Sequence, residues 1–502
     1  MKGDISTKVD GSGNFAVASK NMEVNQPNGT NNIKELYIAD NKEDGFKFHI
    51  KEDEKQLPEI KTKMSKNYLE PIIGTSKYSE KLFEGFDKAK ESINVESFLF
   101  NGKFAEDITD KLIMKASGLN DKNSYSLKVE KSGVKVKLIF DSSKGDKTEE
   151  THESFQMVKN KVDKFINDVE KGRGKFSSLS KEQRQEVIDN LKENMRWKLL
   201  NGGITKIDHR KEVIIDGKFA FSGGGINLTD SALKKHDTMM EVWGPAVNYI
   251  QKEFIENWEE VAGKISETEK SNLLKDTKSL ESAMKIKQKE SGNKKAVNSQ
   301  ILVTDDNRFD TYQKIMEKIK TSKKINIEHA YFTDKKVIDE LAKAIKRGAE
   351  VNVIVPEYSD EGDLLHYGNL GSLLTLHEAS KESDSKGKFN AYLYKWNEKE
   401  NTGKFSHTKA MSFDGKSAIV GSTNLTSRSL TGTLNNFLFN KEMSILIEDE
   451  NMISGKNKGI DDTIFKRDMS PEFSKKLDDD FFKNLYKEKD KINKYTQLQP
   501  LF

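Results

Sequence analysis

Apolar and polar residues alternate in two short stretches that lie far apart in the sequence. SINVESFLF at 92–100 and KINIEHAYF at 324–332 place apolar residues at roughly every other position. Alternation of period two is typical of a β-strand with one buried face. Each stretch is therefore predicted to be a strand, and each carries a glutamate, Glu96 or Glu328, near its middle.

The same kinds of element follow both stretches. Apolar residues recur at helical spacing up to about Gly118 after the first stretch, and over KKVIDELAKAIKRG at 335–348 after the second. Apolar-rich segments at 133–141 and 349–357 then predict a further strand in each case. Strand, helix and strand with short connections predict a βαβ unit with a right-handed crossover.

Because this order occurs twice, the sequence predicts an α/β protein made of two duplicated halves rather than a solenoid of short repeats. The connection between the halves is strongly polar and partly helical in its periodicity. The predicted divisions are a flexible leader at 1–65, a first half at 66–261, the connection at 262–298 and a second half at 299–502.

The first half carries a predicted helical insertion at about 150–200, which accounts for its greater length. SKEQ at 180–183 has the form of a capping box, with Val187, Leu191 and Met195 along one face.

Composition narrows the class of protein. The 502 residues include 84 Lys and Arg against 81 Asp and Glu, a net charge of only +3, whereas a dedicated nucleic-acid binder has a clear basic surplus. The chain has no cysteine, which excludes disulfides and thiolate chemistry. No apolar run predicts a signal peptide or a transmembrane helix, so localisation stays open between a cytoplasmic and an exported protein.

One motif occurs once in each half: His, any residue, Lys, four residues, Asp. Two of the eight histidines satisfy it, and each copy continues through a glycine-rich turn to an asparagine. The copies comprise His209, Lys211, Asp216 and Asn227 in the first half, and His407, Lys409, Asp414 and Asn424 in the second.

Two such copies facing each other suit the cleavage of a phosphodiester. On a strand, residues two apart point the same way, so each histidine shares a face with its lysine. One imidazole can attack phosphorus while the other protonates the leaving oxygen. Lysines and asparagines can hold the non-bridging oxygens, so we expect no metal and no cofactor. Water or an alcohol would then resolve the phosphohistidine.

The paired motif resembles the phospholipase D superfamily, most closely its cardiolipin-synthase-like and bacterial phospholipase D branch. The resemblance covers about residues 70–490, and it includes GSTNLTSRSL after the second motif and HDTMMEVWGPAV after the first. It implies two phospholipase-D-like α/β/α domains related by a pseudo-twofold axis, with the active site at their interface.

The resemblance also implies a role for each matching position. One departure is an extra glycine in SGGGIN, which leaves open whether Gly223, Gly224 or Gly225 faces the phosphate. The implied roles are nucleophile for His209; acid and base for His407; phosphate binding for Lys211, Lys409, Asn227, Asn424, Gly224 and Ser422; imidazole orientation for Asp237 and Glu442; and support of the turns for Asp216 and Asp414.

The favoured function is a soluble phospholipase D, such as an exported effector or toxin, that releases phosphatidic acid and a head group at a membrane surface. A nucleic-acid phosphodiesterase is disfavoured by the charge balance and by the presence of both motifs in one chain. A cardiolipin-synthase-like transferase is disfavoured by the lack of a predicted transmembrane helix, and a silent binding relative by the intact motifs. A monomer suffices, because one chain supplies both motifs.

Two segments near the second motif have open interpretations. NNFLFN at 435–440 is either an interfacial loop or packing beneath the rim of the site. The segment 360–379 is predicted to wall the pocket and select the head group. His329 and His366 lie near strand ends that could face the site.

Overall fold

The computed structural model describes residues 57–496, with gaps at 124–125, 131, 143–147, 201, 203–204, 360–361, 396–404, 434–437 and 456–458. Before residue 57 it describes the backbone of two hairpins, β1 (Ser6–Val9) with β2 (Phe15–Ala18) and β3 (Glu23–Gln26) with β4 (Gly29–Asn32). Most of the predicted leader therefore lies outside the described residues.

The first half alternates strands and helices in the predicted order. Its elements are β5 (Ser65–Ile73), α1 (Thr75–Lys88), β6 (Ser92–Ser97), β7 (Phe100–Asn101), α2 (Gly102–Ala116), β8 (Leu119–Asn123), β9 (Ser126–Val129), β10 (Lys135–Asp141), α3 (Glu153–Glu170), α4 (Lys181–Asn194), β11 (Met195–Leu200), β12 (Lys206–Asp208), β13 (Lys211–Ile215), β14 (Phe219–Ser222), β15 (Leu228–Thr229), β16 (Thr238–Trp243) and α5 (Ala246–Ala262).

Two helices connect this half to the second, which repeats the arrangement. These elements are α6 (Glu267–Leu273), α7 (Thr277–Glu290), β17 (Val297–Thr304), α8 (Asp310–Thr321), β18 (Lys324–His329), α9 (Lys335–Arg347), β19 (Glu350–Pro356), α10 (Asp363–Lys381), β20 (Lys388–Tyr394), β21 (Lys409–Phe413), β22 (Ser417–Gly421), α11 (Ser427–Leu430), β23 (Phe439–Glu448), α12 (Glu450–Ser454), a π-helical turn (Asp461–Lys466), β24 (Ser474–Lys476), α13 (Asp479–Lys487) and α14 (Lys489–Thr496).

Local signals in the sequence mark where two of the helices begin or end, as predicted. Asp334 caps α9 by accepting a hydrogen bond from the Val337 N–H, and Gly348 stops it in the left-handed conformation at φ 115°. The predicted capping box starts α4 at Ser180. Met195, expected on this helix, instead begins β11, because it pairs with Val136 of the neighbouring strand.

The strands of both halves form one 16-stranded sheet. β5 and β17 join the halves as an antiparallel pair, with Asn67 opposite Val297. From this join the order is β16, β14, β13, β6, β10, β11 in one direction and β23, β22, β21, β18, β19, β20 in the other. Matching strands occupy matching places, which confirms two duplicated halves related by a pseudo-twofold axis. Between the outer strands of each half, α3 matches α10, so α4 is the additional helix.

Parallel strands in each half end at the edge where the motifs begin. β6, β10 and β11 run parallel in the first half, as do β18, β19 and β20 in the second. The motif strands run antiparallel beside them, which places Lys211 opposite Ser97 and Lys409 opposite His329. Met240, Met443 and other apolar residues from both halves share one core cluster, so the two edges are held together.

Candidate active site

Each motif histidine is held by a carboxylate from the opposite half. His209 Nδ1 lies 3.0 Å from both carboxylate oxygens of Glu442, and His407 Nδ1 lies 2.7 Å from Oδ2 of Asp237. A carboxylate at Nδ1 fixes the tautomer and orientation of an imidazole. Because a carboxylate of the opposite half occupies Nδ1, Nε2 of each histidine is the nitrogen that can reach a substrate.

Backbone hydrogen bonds also connect each motif histidine to the opposite half. The N–H of His209 donates to the carbonyl of Lys441 at 2.9 Å, and the N–H of His407 donates to the carbonyl of His236 at 2.7 Å. Each acceptor directly precedes the carboxylate that binds the same imidazole. Main chain and side chain of each histidine are therefore both fixed by one segment of the opposite half.

The two motif lysines are buried beside the histidines. Lys211 Nζ donates to the carbonyl of His209 at 2.5 Å, and Lys409 Nζ donates to that of His407 at 2.6 Å. Only 2% of Lys211 is exposed. Burial lowers the pKa of Lys211 to about 7, although the nearby Glu442 opposes this shift. An anionic ligand would restore the charge of this lysine.

The two motif asparagines occupy equivalent buried positions. Asn227 is 7% exposed and Asn424 is 6% exposed. The side-chain oxygen of each has no hydrogen-bond partner among the described residues. An amide oxygen accepts a hydrogen bond, so these two atoms suit a ligand that donates one, and only the Nδ2 groups of the asparagines could donate to a phosphate oxygen. The extra glycine of the first motif therefore does not remove Asn227 from its symmetric place.

Both imidazoles are neutral at neutral pH when no substrate is bound. Burial lowers the pKa of His209 below its ordinary value, while Glu442 opposes the shift. Burial, and then the charges of Lys409 and Lys235, hold the pKa of His407 well below its ordinary value. A neutral imidazole is the form that can act as a nucleophile.

The two orienting carboxylates differ electrostatically. Burial alone would raise the pKa of Glu442, but the attraction of His209 and Lys211 and a hydrogen bond from Ser422 bring it below its ordinary value. Burial raises the pKa of Asp237 to about 6, even though Lys409 opposes the shift. The partner of His209 is thus firmly ionised, whereas the partner of His407 titrates just below neutrality.

The motif aspartates lie in the strand turns and do not face the histidines. The carboxylate of Asp216 accepts hydrogen bonds from the backbone N–H groups of residues 90–92, and that of Asp414 accepts those of residues 323 and 324. Both aspartates have positive φ, 54° and 55°, which this residue type tolerates better than most. Each therefore ties its turn to the start of a neighbouring strand.

The interpretation of Ser422 as a phosphate-binding residue needs correction. Its hydroxyl donates to Glu442 Oε2 at 2.5 Å and accepts the N–H of Met443 at 3.0 Å. The residue is 1% exposed, so no face of the hydroxyl is left for a phosphate. Ser422 supports the carboxylate that orients His209.

Gly224 packs closely against a neighbouring strand. A Cβ atom at Gly224 would lie 2.3 Å from the carbonyl oxygen of Thr238, so this glycine is required for close packing against β16. A Cβ at Gly225 would lie 2.7 Å from both carboxylate oxygens of Asp237. The glycine-rich turn therefore makes room for the orienting carboxylate, and the contact of Gly224 with phosphate stays a prediction.

Two aromatic rings that the sequence reasoning missed flank the histidines. The ring of Phe98 lies 5.0 Å from that of His209, and the ring of Phe405 lies 5.8 Å from that of His407. Lys235 Nζ lies 5.3 Å from the centre of Phe405. Phe405 stands two positions before its histidine, where strand alternation could have indicated it, but Phe98 carries no such signal.

A buried ion cluster underlies the first motif. Arg210 is 1% exposed, and it donates to Asp208 at 2.7 Å and to Glu96 and Glu253 at 3.3 Å each. Arg210 is the residue between the histidine and lysine of the motif. Asn257 also donates to Asp208, at 2.8 Å. The strand glutamate Glu96 therefore pairs with Arg210 within the first half.

The equivalent place in the second half contains a different buried cluster. His236, Glu328 and Asp468 offer possible metal-ligand atoms that all lie within 4.8 Å of one another. His236 Nε2 lies only 2.8 Å from Asp468, a hydrogen-bond separation, and Ser406 donates to Glu328 while Arg467 donates to Asp468. These groups already bind one another, and we assign no metal to them.

His329 and His366, which were predicted near strand ends that could face the site, occupy different environments. His329 is buried opposite Lys409, and burial together with that lysine holds its pKa well below the ordinary value. His329 therefore lies beside Lys409 of the second motif, in agreement with its predicted position near a strand end. His366 lies on α10 against the ring of Tyr367.

The segment 435–440 packs beneath the rim where it is described. Phe439 is 2% exposed and begins β23, while Leu438 is half-buried and Phe437 lies outside the described residues. This favours the packing interpretation over an interfacial loop.

The segment 360–379 forms most of α10, which runs from Asp363 to Lys381. Its Leu365 shares an apolar cluster with Tyr331 and Phe405, which places the start of the helix next to His407; residues 360–361 lie outside the description. Head-group selection by this segment stays a prediction.

Among the described helices, none combines the length and the apolar character needed to cross a bilayer.

Known proteins resemble this chain in sequence over about half its length. Residues 82–258 and 315–461 match the family described as cardiolipin synthase, PLD-like domain. The chain is 26% identical over 261 residues to cardiolipin synthase 2 of Staphylococcus epidermidis, covering 50% of this chain and 46% of the relative. It is 28% identical over 263 residues to the cardiolipin synthase of Halalkalibacterium halodurans, with the same coverage of 50% and 46%. The chain thus spans about half the length of these curated relatives.

A solved structure has the same fold over most of its length. Phosphatidylserine synthase of Haemophilus influenzae Rd KW20 aligns with 86% of this chain and 95% of its own, at a TM-score of 0.54 and 14% identity. The two matched family segments fall one in each half, and together they cover more than half of the chain. The chain belongs to the cardiolipin synthase, PLD-like domain family of the phospholipase D superfamily.

Proposed function

We propose that the protein is a cardiolipin-synthase-like phosphatidyltransferase, which moves a phosphatidyl group from one alcohol to another through a phosphohistidine. The observation that carries this proposal is the exchanged pairing of His209 with Glu442 and of His407 with Asp237. It holds two imidazoles at Nδ1 and leaves the Nε2 atom of each available to a substrate. Two histidines with different roles are what a double displacement at phosphorus requires.

In the first step, Nε2 of His209 attacks phosphorus, and the bond from phosphorus to the leaving alcohol oxygen breaks. The leaving oxygen takes the Nε2 proton of His407. Binding of the anionic substrate raises the pKa of His407, because it offsets the lysine charges that depress this pKa in the free protein. The ionised Glu442 stabilises the positive charge that develops on His209.

In the second step, an acceptor alcohol gives its proton to Nε2 of His407 and attacks phosphorus. The phosphorus–nitrogen bond breaks, which restores neutral His209 and releases the new diester. Lys211, Lys409, Asn227 and Asn424 would hold the non-bridging oxygens through both steps. No atom other than those of substrate, acceptor and protein is needed for the balance.

Two observations favour transfer over the hydrolysis that the sequence alone favoured. Curated relatives of this chain carry the name cardiolipin synthase, and a solved structure of like fold is a phosphatidylserine synthase. The motif histidines are also 7% and 5% exposed, so the reacting atoms lie in a site with little access for bulk water. Exclusion of water protects a reactive intermediate until an alcohol arrives.

The test supplies phosphatidylglycerol vesicles and follows cardiolipin and glycerol, then repeats the reaction with ethanol and follows phosphatidylethanol. We expect both lipid products, and loss of at least about 10⁴-fold in rate for His209→Ala. His377→Ala is the matched control, because His377 lies on α10 against Phe482. Phosphatidic acid alone would replace transfer by hydrolysis, and activity only on oligonucleotides would refute a lipid substrate.

A trapping experiment separates the two histidines. A p-nitrophenyl phosphodiester has a leaving group that needs no proton, so His407→Ala should complete the first step and retain the phosphoryl group on His209. The product is expected to be stable in alkali and labile in acid. A covalent adduct that forms in His209→Ala but not in His407→Ala would reverse the assigned roles.

A further inference from the structure

A third buried histidine lies beside the motif of the second half. His329 ends β18 and stands directly opposite Lys409 on the neighbouring antiparallel strand. Residues directly opposite each other in an antiparallel pair project from the same face of the sheet, so His329 shares a face with Lys409. The residue is 3% exposed, and its Nδ1 has no hydrogen-bond partner among the described residues. The proposed mechanism gives this imidazole no role.

The equivalent position of the first half is occupied differently. Ser97 lies opposite Lys211, as His329 lies opposite Lys409. The hydroxyl of Ser97 donates to the carbonyl of Leu99 at 2.8 Å, so it is paired within its own segment. The two halves therefore share the lysine, but only the second adds an imidazole beside it. Because a buried polar atom without a partner costs free energy, the added imidazole indicates a ligand on the side of the second half.

A second unpartnered atom belongs to a neighbouring loop. Within the described part of the chain, Oδ1 of Asn424 also has no hydrogen-bond partner. The N–H of Leu425, the residue after Asn424, donates to the carbonyl of Tyr331 at 3.1 Å. Tyr331 follows His329 by two positions. The two atoms therefore belong to adjacent segments of the half that also carries His407.

The chemistry of these two atoms points to a hydroxyl group. An amide oxygen only accepts hydrogen bonds, so Oδ1 of Asn424 needs a ligand that donates one. Burial, and then the charge of Lys409, hold the pKa of His329 well below its ordinary value, so the imidazole is neutral. Nδ1 of a neutral imidazole donates or accepts according to its tautomer, and a hydroxyl can bond to it in either case. A phosphate oxygen cannot donate to the amide, whereas a hydroxyl fits both atoms.

Positive charge around the site disfavours an ammonium group, which is the other common donor on a phospholipid head group. Burial, and then the charges of Lys409, Lys235 and Lys211, lower the pKa of His407. The same charges would repel a cationic head group at this place. The ligand that fits is therefore a neutral alcohol with more than one hydroxyl.

We propose that His329 is a specificity residue that binds a second hydroxyl of the alcohol, so that the site selects polyols over simple alcohols. This rests on the proposed function, in which His407 exchanges a proton with the alcohol oxygen in both steps. The reacting hydroxyl lies at His407, and the next hydroxyl of the same molecule bonds to His329 and to Asn424. Leaving and accepting alcohols occupy the same place in turn, so the selection applies to both.

The test is a competition between two alcohols in one reaction. The protein receives phosphatidylglycerol in mixed micelles with equal concentrations of propanol and propylene glycol, and mass spectrometry measures the two phosphatidyl products. Their ratio is the ratio of kcat/KM for the two acceptors, and any loss of folded protein affects both products equally. We expect the glycol product to dominate in the wild type. His329→Leu should lower the ratio about tenfold through the loss of one buried hydrogen bond, and His329→Asn should restore most of it because an amide atom takes the place of Nδ1.

The matched control is Ser97→Ala, which removes the polar group at the equivalent position of the first half and should leave the product ratio at the wild-type value. Three results would overturn the inference alone, with transfer itself intact. They are an unchanged ratio in His329→Leu, an equal fall in Ser97→Ala, and a wild-type preference for alaninol, which carries an ammonium in place of the second hydroxyl of propylene glycol. Phosphatidic acid without either phosphatidyl alcohol would instead overturn the proposed function, and the inference with it.

Discussion

The pH dependence of the reaction should depend on Lys211. Burial lowers the pKa of this lysine to about 7, so its charge is present below pH 7 and is lost as the pH rises through that value. Lys211→Arg retains a charge at every accessible pH, because a guanidinium does not lose its proton. The substitution should therefore remove the alkaline fall in kcat/KM.

The magnitude follows from the titration of one group. With a pKa of about 7, about three-quarters of Lys211 is charged at pH 6.5 and about 3% at pH 8.5. If only the charged form binds the phosphate productively, kcat/KM falls about 25-fold between these values. The acid fall with a p-nitrophenyl substrate should report His209, which must be neutral to attack phosphorus, so we expect it below the ordinary imidazole pKa.

The assay follows release of p-nitrophenol from a soluble phosphodiester at low substrate concentration, since kcat/KM reports the free enzyme. In kcat, the alkaline fall should move to higher pH because the bound phosphate stabilises the charged lysine. Lys218→Arg is the matched control: this lysine pairs with Glu91 at 2.6 Å in the turn after β13.

Two results would refute this reasoning. The first is a wild-type kcat/KM that stays constant from pH 6.5 to 8.5. The second is an alkaline fall that persists unchanged in Lys211→Arg. Either result would mean that Lys211 stays charged in the free protein despite its burial.

Four further substitutions test the supports of the site. Glu442→Gln and Asp237→Asn should each lower kcat by about 10²–10⁴-fold, because an amide does not enforce the required imidazole tautomer; the urea midpoint serves as the check on folding. Arg210→Gln should lower the free energy of unfolding by about 3–5 kcal/mol in a denaturant titration, since buried carboxylates lose their cation, and a loss under 1 kcal/mol would contradict the proposed burial. Ser422→Ala should lower kcat by about tenfold with KM nearly unchanged, whereas a rise in KM alone would return Ser422 to phosphate binding.

Local patterns were sufficient to predict most of the fold. Strand alternation and the glycine stop at Gly348 located β18, α9 and β19, because these signals are written within a few adjacent residues. The same holds for the capping box at Ser180. Met195 was misplaced because its apolar side chain fits a helix face and a buried strand equally well, and only pairing with Val136 decides between them.

The arrangement of the site was less accessible from the sequence. The histidine–lysine pairs are visible as a motif, but the partner of each imidazole lies more than one hundred residues away in the opposite half. Ser422 and Gly224 looked like phosphate ligands because they sit in the motif turns. The folded chain uses Ser422 instead to hold Glu442, and it packs Gly224 against Thr238. Such roles depend on tertiary neighbours, which no local pattern records.

The exchanged carboxylates make assembly of the site a late event in synthesis. His209 belongs to the first half, yet its orienting carboxylate is Glu442, which leaves the ribosome only after most strands of the shared sheet have been synthesised. His407 likewise depends on a segment made much earlier. A nascent or truncated chain that lacks Glu442 thus cannot orient the first histidine. Because of this exchange, both imidazoles are oriented only in a chain that contains both halves.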